Sequence, residues 1–352
     1  MGRGSRFGAL QFAFQVSSAH SGMIAAAEGY RAMPQGPECS VVIPARNAAP
    51  WLEGTIESVG MAAPVEILVV DDGSSDGTAA ILARLAAADP RIVPLAGPRR
   101  GAAAARNAAL AVAAAPLVAF LDADDRWRPG KLAAQLALHA ARPELGFSFT
   151  DYRHVTEAGE DRGTCFGYWP GFRARHGAWL EPFVLGPDAL AQLFAENVVG
   201  TSTVVVRTAL LRDLGGFDEA LRQAEDWDLW LRLAARAPVG CVPLVGADYL
   251  MHRPGNLSQD AAARAAALRL VAARHHAAAA ALDAGTAQRC TARLLVAEAE
   301  AAAAAGQGWL AAWKQMLALL RAPDRRAARA AAAAVLRAAI PGRSRPRPSQ
   351  PA

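Results

Sequence analysis

The chain has 352 residues, 53% of them hydrophobic and 20% charged, enough for one large core with a smaller element beside it. Of 37 basic and 32 acidic residues, eight arginines and one acid fall within 321–352, leaving 29 and 31 for the rest. The net charge of +5 is therefore a property of the tail, which argues against a nucleic-acid-binding main body. No charge-free run of 18 apolar residues occurs, so a membrane-spanning helix is not expected.

Four cysteines, Cys39, Cys165, Cys241 and Cys290, lie far apart with no metal or redox spacing. Ordinary thiols of a reducing compartment are the simplest reading, which implies a cytoplasmic protein. Residues 1–37 are weakly patterned. Arg3 and Arg6 before the apolar run Gly8 to Val16 imitate a signal peptide. A disordered extension, or a true start at Met23 or Met33, is the preferred expectation.

From Ser40 the pattern sharpens. Ser40 to Ile43 reads as a strand that Pro44 stops, followed by a helix from Trp51 to Val59. Val65 to Val70 is a second strand with Asp71 and Asp72 at its carboxyl end. Ser74, Ser75 and Asp76 are candidate caps for a helix beginning near Thr78. Arg91 to Leu95 is a third strand, and GAAAARNAALAVAAA a helix. The apolar run Leu117 to Leu121 then ends in an acidic cluster. Asp122 and Asp124 are two residues apart, so on extended backbone their side chains share one side. Two hard oxygen ligands there suit a divalent cation such as Mg2+ or Mn2+, and a solvated acidic turn is the plain alternative.

Strands alternating with helices at this spacing imply an α/β fold with a mostly parallel sheet, whose ligands bind beyond the strands' carboxyl ends. A dinucleotide site lacks its Gly-rich phosphate turn, and Gly130-Lys131 runs into Leu132, which excludes a P-loop.

Gly146 to Thr150 reads as a further strand. Asp161 to Trp179 reads as irregular. There Tyr168, Trp169, Phe172 and Trp179 either stack on an acceptor or anchor a long loop. Thr203 to Arg207 is another strand. Trp227, Trp230, Leu231 and Ala234 form the buried stripe of a helix that opens on Glu225 and Asp226. The helix dipole favours those two acids and is expected to hold Asp226 ionised by lowering its pKa.

The pieces VVIPARN, VVDDGSSDGT, GAAAARNAAL, VAFLDADDRWRPGKL, NVVGTSTVVVR, GGFDEAL and EDWDLWLRLA occur in an order that resembles glycosyltransferase family 2, over roughly Ser40 to Ser258. The resemblance implies the GT-A fold and inverting transfer of a sugar from a nucleoside diphosphate, UDP favoured, to an acceptor hydroxyl. It places Pro44, Ala45, Arg46 and Asn47 along the nucleoside, with Asp71 and Asp72 at base and ribose. Arg106 would lie at base or phosphates, with Asn107 supporting the loop. Asp122 to Asp124, with Ala123 between, would lie at ribose and diphosphate, and Asp124 would hold the Mn2+ or Mg2+ ion. Asp226 would be the catalytic base and Glu225 its neighbour at the acceptor. Within YLMHRPGNLS, His252 would be a further metal ligand, although Arg253 separates it from the proline. The implied acceptor is a glycan, glycolipid or lipid-linked sugar of cell-surface polysaccharide synthesis, with no nucleic acid involved. The competing readings are a non-catalytic nucleotide-sugar or carbohydrate-binding relative and a sugar nucleotidyltransferase.

The resulting division is an extension over 1–37, a GT-A domain over 38–260, an Ala-rich helical region over 261–340 broken near Gly306 and Pro323, and a disordered basic tail over 341–352. The stretch Arg325 to Arg337 carries arginines on one side. A solvated helix is the simpler expectation for it, and peripheral contact with the anionic inner face of a membrane the alternative.

Overall fold

The computed structural model describes residues 36–61, 64–251, 260–283, 285–323 and 325–339. The expected N-terminal extension up to residue 35, His252 and Arg253, and the basic tail lie outside them.

The first half of the domain is built from β–α units. In chain order these are β1 (Cys39–Ala45), α1 (Leu52–Val59), β2 (Val65–Asp71), α2 (Thr78–Ala88), β3 (Ile92–Ala96), α3 (Ala102–Val112) and β4 (Leu117–Phe120). The strands β3-β2-β1-β4 lie side by side and parallel. Their apolar residues serve two faces because successive side chains alternate. Val42, Leu68, Val70, Val118 and Phe120 join one buried cluster, and Val41, Ile43, Ile67, Val69 and Ala119 join the other.

Pro44 does not end the first strand: β1 continues to Ala45. The amide of Leu121 donates to the carbonyl of Val42, and pairing with β4 ends there. Backbone groups two residues apart face the same side, so the missing N–H of Pro44 falls where no partner strand remains.

The second half completes a mixed sheet. Its elements are β5 (Arg126–Trp127), α4 (Lys131–Ala141), β6 (Phe147–Val155), β7 (Asp161–Thr164), α5 (Cys165–Tyr168), α6 (Pro170–His176), β8 (Phe183–Val184), α7 (Ala189–Ala195), β9 (Val205–Arg207), α8 (Thr208–Asp213), α9 (Glu225–Ala234) and β10 (Val239–Leu250). The order continues β4-β9-β6-β10-β5, with β9 antiparallel to both β4 and β6. The stretch expected to be irregular is thus a short strand and two short helices. Thr164 caps α5 by accepting from the Gly167 amide, and the rings of Phe166 and Phe172 pack near Phe149.

Helices α10 (Ala261–Leu282), α11 (Thr286–Ala304), α12 (Gly308–Arg321) and α13 (Arg325–Ala339) follow. Both α10 and α11 pack against α7, α12 packs on α11, and α13 on α12. Polar pins fasten α10 to the domain: Arg274 pairs with Asp218 at 2.7 Å, and His275 Nε2 lies 3.0 Å from the buried Asp228. Arg293 of α11 lies 3.7 Å over the Trp227 ring. Among the described residues no helix is long and apolar enough to cross a membrane.

Candidate active site

The carboxyl ends of β1, β2 and β4, the start of α9 and the Thr201–Thr203 turn surround one cavity of about 740 Å³. Of the residues singled out in the sequence, Pro44, Ala45, Arg46, Asn47, Asp72, Arg106, Asp122, Ala123, Asp124, Glu225 and Asp226 all line it. Asp71 does not. Its carboxylate accepts from the Ser74 amide at 2.8 Å and shapes the turn after β2. None of Tyr168, Trp169, Phe172 and Trp179 is on the cavity wall; Phe172 is buried among other rings.

Each wall is held by long-range hydrogen bonds. The Asn47 amide donates to Ser74 Oγ, and the Ser75 amide donates to Asn47 Oδ1, which ties the loop after β1 to the loop after β2. Gly77 holds the cap position of α2, and Asp76 just ahead of it accepts from the amide of Thr78. Asp72 is buried and accepts from the Gly101 amide at 2.7 Å, fixing the entry to α3. Asn107 on α3 bonds both backbone groups of Phe217.

Arg106 is the central cation. Its guanidinium is buried and donates from Nη2 to Asp122 at 2.7 Å and from Nη1 to Glu225 at 2.9 Å. It thereby clamps the end of β4 to the start of α9, two places 103 residues apart in the chain. Those carboxylates raise its pKa against the opposing effect of burial.

Sequence reasoning missed the supports beneath. Asp125 is buried, accepts from Ser202 Oγ at 2.6 Å and takes the Leu250 amide at 3.1 Å. Ser202 Oγ also accepts from the Asp122 amide. Burial, then repulsion from Asp124 and Asp122, raises the Asp125 pKa. The signal was in the sequence: Asp125 closes the acidic cluster and Ser202 lies in NVVGTSTVVVR.

Asp226 accepts from Thr201 Oγ1 at 3.1 Å and from the Trp227 amide at 2.7 Å. The expectation that the helix dipole would depress its pKa is overturned. Burial raises it, against the attraction of Arg106. Burial and then repulsion from Asp226 lift Glu225 to about 6. The dipole acts over one turn and is outweighed by removal of water from two adjacent acids. Ala224, just before them, adopts a left-handed φ of 58°, and Asn47 one of 50°. Such strain in residues other than glycine, on a cavity wall, fixes the direction of the side chains beside it.

Asp124 and Asp122 present hard oxygen donors to the cavity. Among the described residues no group of three His, Cys, Asp or Glu converges as a metal site. Mg2+ characteristically takes one or two carboxylates plus substrate phosphates, so this donor set fits such an ion in the presence of a diphosphate.

A mixed sheet with a parallel nucleotide-type half, and acids gathered at its carboxyl end, defines the GT-A class of nucleotide-diphospho-sugar transferase folds. Residues 40–182 match the family model for Glycosyl transferase family 2, and the chain carries a domain of that family. It is 35% identical over 175 residues to the putative teichuronic acid biosynthesis glycosyltransferase TuaG of Bacillus subtilis, covering 48% of this chain and 62% of that one. It is 30% identical over 203 residues to the succinoglycan biosynthesis protein ExoU of Rhizobium meliloti, covering 55% of this chain and 56% of that one. The chain thus spans less than two thirds of each relative. The crystal structure of S. aureus TarS 1-349 in complex with UDP-GlcNAc superposes with a TM-score of 0.56 at 17% identity, over 86% of this chain and 92% of that one, a likeness of fold.

Proposed function

We propose that the chain transfers a sugar from a nucleoside diphosphate, UDP favoured, to an acceptor hydroxyl with inversion at the anomeric carbon. The observation that carries this reading is the convergence of Asp72, Asp122, Asp124 and Asp226 from distant stretches of sequence on one cavity. The TarS complex with UDP-GlcNAc supports the donor class. TuaG and ExoU, named for teichuronic acid and succinoglycan biosynthesis, support a polysaccharide or lipid-linked acceptor.

Pro44 to Asn47 and Asp72 hold the nucleoside. Arg106 acts through its neighbours, keeping Asp122 and Glu225 in register. Asp124, with Asp122 beside it, would hold Mn2+ or Mg2+, which supplies Lewis-acid stabilisation to a leaving diphosphate. Asp226 takes the proton of the acceptor hydroxyl, whose oxygen forms the new bond to the anomeric carbon. The bond from that carbon to the phosphate oxygen breaks, and the diphosphate leaves with the electron pair. The raised pKa of Asp226 brings it nearer the working pH, which suits a general base. Thr201 and the Trp227 amide orient its two oxygens. One base and no covalent nucleophile give a single displacement.

The test is nucleotide release from a panel of UDP-, TDP- and GDP-sugars with Mn2+, with and without glycan acceptors. Release of the nucleoside diphosphate supports the reading, and pyrophosphate release or no turnover of any donor overturns it. Calorimetry separates the metal site: Asp124→Ala is expected to abolish the difference in donor affinity between Mn2+ and chelator.

A further inference from the structure

The four C-terminal helices leave one apolar face unaccounted for. α12 buries Ala311, Ala312 and Ala318 against its neighbours. Its opposite side carries Trp309, Trp313, Met316 and Leu320, at 65%, 61%, 37% and 72% exposure. These positions recur at i, i+4, i+7 and i+11, so they form one stripe about 17 Å long on a straight helix. Two exposed tryptophans on one stripe set α12 apart from a helix whose outer side is polar.

The charge lies beside the stripe. Arg321 follows Leu320 and is exposed, as are Arg329 and Arg337 on α13, together with Leu336. Within 321–352 there are eight arginines and one acid, whereas the rest of the chain has 29 basic and 31 acidic residues. The stripe thus ends at the exposed Arg321, and the helix packed on α12 carries the exposed Arg329 and Arg337. A second copy docking here would bring two such cationic segments together, which charge repulsion opposes.

We infer that the α12 face, with the adjoining arginines, docks on the surface of an anionic lipid bilayer. Tryptophan rings have an apolar body and a polar N–H, and so settle at the boundary between headgroups and acyl chains. The arginines pair with lipid phosphates and are drawn by the negative surface potential. The contact lies in the interface plane and needs no spanning helix. The contact stands whether or not the chain turns over a nucleotide sugar.

The experiment is co-sedimentation of the full chain with phosphatidylglycerol and phosphatidylcholine vesicles. The chain is expected to bind the anionic vesicles at least ~10-fold more tightly, and the preference to shrink as salt rises from ~0.05 to ~0.5 M. A double variant, Trp309→Ser with Trp313→Ser, is expected to lose ~10-fold or more of that binding with an unchanged Tm. Tryptophan quenching by brominated lipid should disappear with it. Absent binding, or binding and quenching unchanged in the variant, overturns the inference. So does a dimer in sedimentation velocity that the variant dissolves. A variant whose Tm falls also overturns it, because the stripe would then be covered by the chain itself.

Discussion

Arg106 and Lys131 are both buried cations on helices that pack against the same sheet, and they behave in opposite ways. Arg106, at the cavity, meets two carboxylates and is held charged. Lys131, at the start of α4, is fully buried over the Trp127 ring at 3.9 Å, and its Nζ has no hydrogen-bond partner. Burial brings its pKa down to about 7. The contrast shows what keeps a buried charge a charge: opposite carboxylates that arrive from elsewhere in the chain, since a ring face alone does not offset the lost water.

Removing the paired cation is expected to have the largest effect on stability. Arg106→Met leaves Asp122 and Glu225 facing each other without compensation. It should cost about 3–5 kcal/mol in urea unfolding at pH 7, and less at a pH where Glu225 is protonated. Equal cost at pH 5 and pH 7 would show that the clamp works by packing alone.

The candidate base is the next lever. Asp226→Asn keeps shape and should lower turnover ~100- to 10,000-fold while leaving donor affinity in place. In the unsubstituted chain, kcat/KM should fall as pH drops through a value above the usual aspartate range, because burial raises the Asp226 pKa. Arg106→Lys would sharpen the comparison by moving that limb upward, as attraction from the guanidinium weakens.

The unpaired cation gives the smallest and most selective effect. Lys131 binds a proton in the unfolded chain up to about pH 10 but gives it up near 7 when folded. The unfolded state thus holds more protons between these values, and stability should rise with pH from about 7 to 8.5, by up to ~1.4 kcal/mol per unit. Above that window the buried thiols, with Cys39 raised to about 12, pull the other way. Lys131→Met should flatten the rise and stabilise the protein at pH 7. A slope that persists in the variant would assign it to other groups.

What the sequence disclosed follows the same division. The strand ends were legible because apolar runs stop at acids, as at Val70–Asp71 and Leu121–Asp122. The helix of Trp227 and Trp230 was legible from its period. Partners across the fold were not. Arg106 reads as one arginine on an alanine helix until Asp122 and Glu225 are brought to it, 16 and 119 residues away. Lys131 follows Gly130, and in the sequence it served only to exclude a P-loop. The dipole argument for Asp226 used only its own helix, whereas its pKa is decided by the water excluded around it. Cys165 to His176 looked irregular because its helices are too short to show a period, and their order comes from the rings they bury.

Arg293 has a consequence for how this protein can change over time. Its guanidinium reaches from α11 to lie on Trp227, next to Asp226, and Arg264 and Leu268 of α10 form part of the cavity wall. A gene fusion or exchange joined at residue 260, where the sequence changes character, would separate the helix that carries the candidate base from its own backing. The piece that must be inherited whole extends through α11, well past the stretch by which its relatives are recognised.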